Sequence, residues 1–455
     1  MTENRIHFIA IGGSAMHNLA IALHLKGYKV TGSDDEIFDP ARTRLESHGL
    51  LPKEFGWFPE KLDNSIDSII LGMHARGDNP ELAKAKELGL KIYSYPEFLY
   101  EQSKDKLRVV IGGSHGKTTI TAMILHVLHS CNMDTDYMVG AKLEGFDVMV
   151  RLTKEAKVMV FEGDEYLTSA LDLRPKFHLY KPDIALVSGI AWDHMNVFPT
   201  FDNYIEQFRI FMKMLPNSGA LIYCNQDPEV KKAVESVHGK MKKLPYGVPK
   251  HLVSDGKTIL HAAEGDFPLM IFGQHNLMNL EGARRVCNQL NISNTDFYRA
   301  ISTFKGASNR LELIAEKPGF NAYRDFAHAP SKLKATIQAV KEQFPDRRLV
   351  ACFELHTFSS LSKDFLNQYE GCMEKADIAA VYFSPHALAL KKLPMLLPED
   401  IKHSFGKSGL LVFSDAKKFQ EFLLEQKWEN SNLLLMSSGN FDGLQVKDFA
   451  ENLGK

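Results

Sequence analysis

Short apolar runs and amphipathic helical patterns alternate along the chain. Near the N-terminus the run IHFIAI (6–11) predicts a strand, and YKVTGSDD, IDSIILG (66–72) and LKIYS (90–94) predict three more. A helix between the first two strands is predicted by apolar positions at helical spacing, which are Met16, Leu19, Ala20 and Leu23. This β-α-β-α order indicates a parallel sheet with right-handed crossovers.

The same alternation restarts twice, so we predict three domains. The polar stretch EQSKDK indicates a linker before the strand LRVVIGG, and the alternation begins again after RLELIAE. The predicted fold class is α/β, with a Rossmann-like first domain, a larger central domain whose sheet is mainly parallel, and a Rossmann-like third domain. The predicted boundaries are residues 1–106, 107–312 and 313–455.

The composition excludes several classes of protein. Of the 455 residues, 44% are hydrophobic and 24% are charged, with a formal net charge of -2, so no basic field indicates nucleic acid as a partner. The five cysteines are scattered without a C-x-x-C pair, which is typical of reduced thiols in the cytoplasm. We expect no signal peptide, and the sequence contains no apolar run of about 18 residues. We expect a cytoplasmic protein outside the membrane, as a monomer or weak oligomer.

The strongest chemical signal lies between the strand LRVVI and the helix TTITAMILHVLHS. It is a loop of glycines, a lysine and threonines: Gly113, Ser114, His115, Gly116, Lys117, Thr118 and Thr119. Glycines let backbone N–H groups turn towards phosphates, and the helix N-terminus adds a positive dipole. We expect Lys117 to place its charge on the β- and γ-phosphates and Thr118 to offer its hydroxyl to Mg²⁺. These features predict a P-loop ATPase domain.

The loop departs from the common P-loop, which would have a glycine at the position of Ile111. A glycine turn with an incidental lysine is therefore the alternative interpretation. The shorter form resembles G-T-x-G-K-[TS]-[TS] of the Mur ligase family, with Ser114 in place of the family's threonine. This resemblance implies a three-domain ligase that uses ATP and Mg²⁺ to join a carboxylate to an amine through an acyl phosphate.

Two later segments resemble the family's metal-binding motifs. FEGDEY resembles E-x-D-E, whose first acid binds one Mg²⁺, and that acid is Glu162. WDHMNVF resembles D-H-M/L-D, whose histidine reaches the other Mg²⁺, and that histidine is His194. Taken alone, the acidic turn of FEGDEY is typical of a solvated loop. Some relatives carry a carbamylated lysine where this chain has Arg209, and because a guanidinium stays protonated we expect no carbamate.

Further segments resemble the family's nucleotide contacts. GQHNLMNLEGA resembles G-x-H-N-x-x-N-x-x-A, which implies that the adenine and ribose are held by His275, Asn276 and Asn279. FKGASNRLEL resembles F-x-G-x-x-x-R-x-E, which implies that Arg310 reaches the phosphates.

The predicted third domain opens with RDFAHAP, which resembles D-D-Y/F-A/G-H-x-P of the family. The resemblance assigns Asp325 to the nucleotide and His328 to the reacting groups, although the same residues are also typical of an ordinary strand-to-helix turn. The catalytic set implied by the family consists of Lys117, His194, Arg310 and His328.

The first domain begins with an incomplete glycine fingerprint. Gly12 and Gly13 follow a strand, and Asp34 lies 22 residues after Gly12, where a ribose-binding acid would lie. From this segment alone an NAD site, and with it an oxidoreductase, stays open. The family resemblance implies a UDP-sugar site instead, with its diphosphate at the helix N-terminus. The residues that it assigns to the UDP-sugar are Gly12, Gly13, Ser14, Ser33, Asp34, His74 and Arg76.

Two branches of the family use UDP-N-acetylmuramate as the acceptor. One adds L-alanine in peptidoglycan biosynthesis, and the other adds L-alanyl-γ-D-glutamyl-meso-diaminopimelate in murein recycling. DEYLTSALDLRPKFHLYKP and MSSGNFDGL resemble the recycling branch, whereas ELHTFSSLS is nearer Q-P-H-x-Y-T of the alanine branch. The sequence favours the tripeptide, with L-alanine as the alternative. A P-loop nucleotide-binding regulatory protein is the alternative from another class.

Overall fold

The computed structural model describes residues 4–73, 75–141, 143, 145–146, 148–169, 172–192 and 197–453. The fold is α/β with mainly parallel sheets, as predicted. The chain divides into two compact units, of which the first comprises Met1–Gly247 with Asn279–Ala300 and the second Val248–Met278 with Ile301–Lys455. No helix in the described part of the chain is both long enough and apolar enough to cross a membrane.

The first sheet has four parallel strands, and its strand order is β2-β1-β3-β4. The strands are β1 (Arg5–Ile9), β2 (Lys29–Ser33), β3 (Ser68–Leu71) and β4 (Lys91–Ser94). The helices around it are α1 (Ser14–Leu25), α2 (Ala41–Ser47), α3 (Pro80–Glu87) and α4 (Tyr95–Glu101). All four strands that the sequence predicts for this part of the chain are therefore confirmed, with boundaries shifted by one or a few residues.

The second sheet, in the same unit, has seven strands in the order β11-β10-β9-β5-β8-β6-β7. These are β5 (Leu107–Gly112), β6 (Thr135–Met138), β7 (Val150–Arg151), β8 (Val158–Glu162), β9 (Ile184–Val187), β10 (Ala220–Cys224) and β11 (Lys242–Tyr246). Its pairs are parallel except for β6 with β7. β5 is therefore interior, between β8 and β9, and its residues Val109–Gly112 are buried.

Helices cover this sheet and continue into the next part of the chain. They are α5 (Lys117–Ser130), α6 (Lys176–Leu179), α7 (Phe201–Lys213), α8 (Pro228–Ser236), α9 (Gln274–Gln289) and α10 (Asn294–Ile301). Aromatic rings pack under the end of β5, where Phe177 stacks on Phe211 with ring centroids 4.5 Å apart. A Cβ at Gly112 would lie 3.3 Å from both rings, so a glycine suits this close approach.

The second unit contains two sheets. A small antiparallel sheet is formed by β12 (His251–Ser254), β13 (Lys257–Ala262) and β14 (Gly265–Leu269). The larger sheet has the order β15-β16-β20-β17-β18-β19, and only its β15–β16 pair is antiparallel. Its strands are β15 (Glu312–Lys317), β16 (Phe320–Asp325), β17 (Arg348–Leu355), β18 (Ile378–Phe383), β19 (Leu411–Phe413) and β20 (Ser431–Met436). The helices are α11 (Pro330–Gln343), α12 (Pro385–Leu390), α13 (Pro398–Phe405), α14 (Ala416–Leu424) and α15 (Val446–Asn452).

The first strand ends earlier than the sequence predicts. We expected a strand over 6–11, but β1 ends at Ile9 because Ala10 has a φ of 67°, outside the extended region. The backbone N–H groups of Ala10 and Ile11 both donate to the carbonyl of Ser33, at 2.9 and 3.1 Å. This turn leads directly into the glycines before α1. The predicted domain boundaries at 106 and 312 stay a prediction.

Candidate functional site

The glycine loop lies at the carboxyl end of β5, at the centre of the seven-stranded sheet. Gly113 and Gly116 have φ values of 136° and 79°, a backbone conformation that favours glycine. A Cβ at Gly113 would overlap the Ser188 hydroxyl, and a Cβ at Gly116 would overlap the Asn279 side chain. Both glycines are therefore required by conformation and by space. The loop leads into α5, whose 14 residues align their peptide dipoles with the positive end at the loop.

Lys117, the first residue of α5, turns back over this loop. Its Nζ donates to the carbonyl of Gly113 at 2.7 Å and to Glu165 Oε2 at 2.6 Å. Burial lowers the pKa of Lys117, but Glu165 and Asp164 outweigh burial and hold the pKa above its ordinary value. The loop therefore carries a protonated ammonium group beside its glycines.

Thr118, the residue after Lys117, contacts Glu162. Thr118 Oγ1 donates to Glu162 Oε1 at 2.7 Å, and the N–H of Gly140 donates to Glu162 Oε2 at 2.8 Å. Glu162 is the last residue of β8 and is the parallel neighbour of Ile111 in β5. A hydroxyl and a carboxylate are hard oxygen donors, and Mg²⁺ beside phosphates needs only one or two protein carboxylates.

The predicted metal set is only partly visible. Among the described residues no three His, Cys, Asp or Glu side chains converge to hold a metal ion. His194, which the sequence assigns to a second Mg²⁺, lies outside the described residues. At the position of the carbamylated lysine, Arg209 Nη1 lies 3.3 Å from Glu206 Oε2, so its charge is engaged within α7.

The remaining loop residues make local contacts. Ser114 Oγ accepts from the N–H of Ala191 at 2.8 Å and lies 2.9 Å from Tyr204 Oη. The carbonyl of His115 accepts from the Ser188 hydroxyl. Thr119 is buried within α5. These contacts fasten the loop to the residues that follow β9.

The predicted adenine and ribose residues lie on α9. Asn279 faces Gly116, because its amide lies where a Cβ at that glycine would be. Asn276 lies one helical turn earlier, is buried, and donates from Nδ2 to the carbonyl of Phe272 at 3.0 Å. His275 precedes it on the same helix. The structure thus brings Asn279 to the loop, while the nucleotide role of His275 and Asn276 stays a prediction.

In the second unit, Asp325 organises the turn that carries Arg310. The buried Asp325 carboxylate accepts from the N–H of Leu311 and the N–H of Ala327, both at 2.6 Å. Burial raises the pKa of Asp325, although Arg310 and these N–H groups oppose the rise. The Arg310 guanidinium lies 4.6 Å from the centroid of the Phe326 ring. The structure therefore shows Asp325 in a turn-forming role, and its contact with a nucleotide stays a prediction.

His328 is held at the start of α11. Its Nδ1 lies 2.9 Å from the carbonyl of Phe326, and its own carbonyl accepts from Tyr369 Oη at 2.5 Å. These contacts fix the ring beside Phe326, whose ring lies edge-on to it. These contacts do not test whether His328 lies near the reacting groups, so that role stays a prediction.

The first sheet gathers most of the predicted UDP-sugar residues. The N–H of Gly12 donates to Asp34 Oδ2 at 2.7 Å, and a Cβ at Gly12 would lie 2.8 Å from Ile37 Cγ1. Gly13 precedes α1, which begins at Ser14 and has no side-chain cap in the described part of the chain. A helix start with open N–H groups suits an anion.

The other predicted UDP-sugar residues are less informative. Ser33 is buried and ends β2, directly before Asp34. Arg76 is exposed, and its carbonyl accepts from the N–H of Asn79 at 3.1 Å. His74 lies outside the described residues.

Two groups of polar residues were missed by reasoning from the sequence. Glu165 contacts the loop lysine and Tyr204 contacts Ser114, although only Glu165 lies within a recognised motif. In the second unit, Glu354 Oε2 accepts from the Ser437 hydroxyl and, at 2.8 Å, from the N–H of Phe441. The signal for this second group is present in the sequence, because ELHTFSSLS and MSSGNFDGL both carry features of the family, but nothing in the sequence pairs them.

Comparisons with known proteins bear on the whole chain. Residues 5–106 match the family model of the Mur ligase family, catalytic domain, and residues 111–287 match that of the Mur ligase middle domain. Residues 309–439 match that of the Mur ligase, glutamate ligase domain. The UDP-N-acetylmuramate–L-alanine ligase of Clostridium kluyveri is 30% identical to this chain, over 82% of this chain and 82% of that protein.

Two solved structures share the fold over nearly the full length. The murein peptide ligase of Psychrobacter arcticus is similar with a TM-score of 0.65 and 23% identity, over 99% of each chain. The UDP-N-acetylmuramate–alanine ligase of Thermotoga maritima is similar with a TM-score of 0.70 and 19% identity, over 96% of each chain. At these identities the two structures support the fold alone.

The buried Asp34 carboxyl predicts a pH-dependent stability. Burial raises the pKa of Asp34 from 3.8 to about 6, so the folded protein binds this proton more tightly than the unfolded chain does. Stability contributed by this group is therefore present below pH 4 and falls as the pH rises to about 6. The Asp34→Asn variant has no carboxyl group to titrate here, so it does not lose this stability. Relative to the wild type, its free energy of unfolding should increase by on the order of 2 kcal/mol between pH 4 and pH 7.

Urea denaturation at about pH 4, 5, 6 and 7 measures the free energy of unfolding of the variant and the wild type. The matched control is Asp78→Asn, because Asp78 is exposed in the same unit and its variant should show no such trend. A constant difference between Asp34→Asn and the wild type across this range would show that Asp34 titrates normally.

Proposed function

Because the chain belongs to the Mur ligase family, we propose that it joins the carboxylate of UDP-N-acetylmuramate to an amine. Members of this family are ATP-dependent amide ligases, so the chain is an enzyme that forms a carboxylate–amine bond. The match of residues 5–106 to the family favours a sugar nucleotide over NAD in the first domain. We place the reaction in peptidoglycan metabolism in the cytoplasm.

The observation that carries the proposal is the pairing of Lys117 and Thr118 with two carboxylates at the end of β5. The glycine loop has a backbone conformation and close approaches that side chains would prevent, and Lys117 is a protonated cation at that place. Thr118 and Glu162 supply the oxygen atoms that would hold Mg²⁺. The residues present therefore fit a magnesium nucleotide.

The chain's own residues then have separate tasks in the proposed reaction. Bound ATP supplies the phosphoryl group that activates the acceptor carboxylate as an acyl phosphate. Lys117 stabilises negative charge on the phosphates, and the N-terminus of α5 adds its dipole. From the motif that it shares with the family, we also propose Arg310 for this charge. The helix start at Gly13 would hold the diphosphate of the sugar nucleotide.

For the amine, we propose L-alanine first. The curated relative from Clostridium kluyveri bears that activity in its name and is 30% identical, which carries more weight than a structural likeness below that identity. His356 supports the same choice, because it stands where the alanine branch has histidine in Q-P-H-x-Y-T.

The tripeptide is the second candidate, and the contact of Glu354 with the segment 437–441 favours it. This segment lies within MSSGNFDGL, which resembles the recycling branch. A Cβ at Gly439 would lie 2.6 Å from His356 Nδ1, so the segment passes directly against the alanine-like histidine. The contact between His356 and the segment 437–441 therefore joins a feature of the alanine branch to a feature of the recycling branch.

A substrate panel tests the proposed reaction. The protein is incubated with ATP, Mg²⁺ and UDP-N-acetylmuramate, together with L-alanine, L-alanyl-D-glutamate or the tripeptide, and products are identified by mass. We expect ADP, phosphate and an amide product with L-alanine in the highest yield. A product with the tripeptide alone would make the second candidate correct. ATP hydrolysis without any amide product would support a nucleotide-binding regulatory protein and contradict the ligase proposal.

Lys117→Ala tests the phosphate loop. We expect the variant to lose at least about 2 orders of magnitude in kcat, because a positioned cation stabilises the transferring group. Circular dichroism and a melting curve show whether the fold is kept. The matched control is Lys232→Ala, because Lys232 is largely exposed on α8 and its loss should leave kcat unchanged. Near-normal turnover of Lys117→Ala would show that this loop does not hold the triphosphate.

Glu162→Gln tests the cation site. Glutamine keeps the side-chain length and one acceptor oxygen, for either Thr118 or Gly140, but removes the negative charge. The Mg²⁺ concentration for half-maximal rate should therefore rise about 10-fold or more. Glu87→Gln, at an exposed position of α3, is the matched control. His194→Ala is measured in parallel. An unchanged Mg²⁺ dependence in Glu162→Gln would remove Glu162 from the set of ligands.

A further inference from the structure

A continuous chain of hydrogen bonds joins the two ends of the glycine loop through a second layer of residues. It runs from Ser114 Oγ to Tyr204 Oη over 2.9 Å, and from Tyr204 Oη to Glu165 Oε1 over 3.2 Å. It continues from Glu165 Oε2 to Lys117 Nζ over 2.6 Å and returns from Nζ to the carbonyl of Gly113 over 2.7 Å. Ser114 and Lys117 are thus linked through α7 as well as through the loop itself.

The direction of the donors in this chain follows from the atoms present. Tyr204 has one hydroxyl hydrogen, and the geometry gives it to Glu165. Ser114 must then donate its own hydrogen to Tyr204, and its Oγ accepts from the N–H of Ala191. The hydroxyls of Ser114 and Tyr204 therefore both point towards the Glu165 carboxylate, and a charged acceptor at the end of such a series of hydrogen bonds strengthens them.

The carboxylates of the segment 162–165 have separate partners. Glu162 contacts Thr118, Asp164 forms an ion pair with Lys176 at 2.6 Å, and Glu165 forms one with Lys117. Glu165 is 1% exposed and Tyr204 is fully buried, so neither side chain is arranged by solvent. A buried carboxylate needs compensation, and here the compensation includes the lysine that we assign to the phosphates.

We propose that Glu165 and Tyr204 are positioning residues that hold Lys117 and Ser114 in the binding arrangement before the nucleotide arrives. Lysine has a flexible stem with many rotamers, and a carboxylate at 2.6 Å restricts them in advance. Tyr204 keeps that carboxylate in place and ties it to the opposite end of the loop. The proposal rests on the proposed use of ATP and adds two residues, neither of which is expected to touch the nucleotide.

Two nearly isosteric variants test this proposal. Tyr204→Phe removes the shared hydroxyl but keeps the ring that packs at 5.2 Å on Phe208, and Glu165→Gln removes the charge that holds Lys117. We expect each variant to lower kcat/KM for ATP about 10-fold or more, because small misplacements of a phosphate-binding group are costly. KM values for the sugar nucleotide and the amine should change less than about 2-fold, since the chain of bonds ends at the phosphate loop.

The double variant separates positioning from general stability. If both residues act through one chain of bonds, Tyr204→Phe with Glu165→Gln should be no worse than the poorer single variant. Multiplying losses would contradict a shared chain, and lower melting temperatures with normal kcat/KM for ATP would reduce both residues to a structural role. Tyr28→Phe is the matched control, because it loses a hydroxyl contact with Gln102 at 3.3 Å and lies directly before β2, in the first sheet's part of the chain.

Direct binding of Mg²⁺–ADP, measured by calorimetry, makes the test independent of the ligase reaction. Weaker binding in Tyr204→Phe and Glu165→Gln would support the proposal even if the amine substrate were misassigned. Wild-type binding and turnover in both variants, alongside an inactive Lys117→Ala, would overturn the positioning role and leave the proposed function standing. Absence of nucleotide binding in the wild type itself would overturn both.

Discussion

The parallel pairing of β5 with β8 and β9 is the constraint on which the candidate site depends. Parallel strands end at a common edge, so the loop after Gly112, the carboxylate of Glu162 and the hydroxyl of Ser188 lie together there. β5 is interior to this sheet, with strands on both sides and rings packed beneath it. The loop therefore rests on a buried support, which keeps its glycines in conformations that would be strained for other residues.

The sequence predicted most of the fold because periodic patterns report which face of an element is buried. The strands β2, β3, β4 and β5 and the helices α1 and α5 were all expected from such patterns. The sheet of β12–β14 was not, since most of its residues are exposed or half-buried and it carries no strong apolar run. The early end of β1 depends on the positive φ of Ala10, which cannot be predicted from an alanine within an apolar run.

The candidate site divides in the same way. Residues within a motif, such as Gly116, Lys117 and Glu162, were found because the motif carries its own chemistry. Tyr204 lies in the amphipathic helix α7, and the sequence pattern of a helix does not indicate what a hydroxyl contacts. Only the three-dimensional packing brings the Tyr204 hydroxyl to Ser114. Asp325 was expected at a nucleotide, and in the structure it bonds two backbone N–H groups, so a motif residue can also act by shaping its own turn.

The ion pairs around the loop have a consequence for electroneutrality. The carboxylates of Glu162, Asp164 and Glu165 face the ammonium groups of Lys117 and Lys176, so these side chains together carry one more anion than cation. A polyphosphate entering this cleft would add to the surplus at short range, where water screens poorly. Counter-ions would then have to enter together with the polyphosphate, so the proposed requirement for Mg²⁺ would follow from the charge balance of the protein itself.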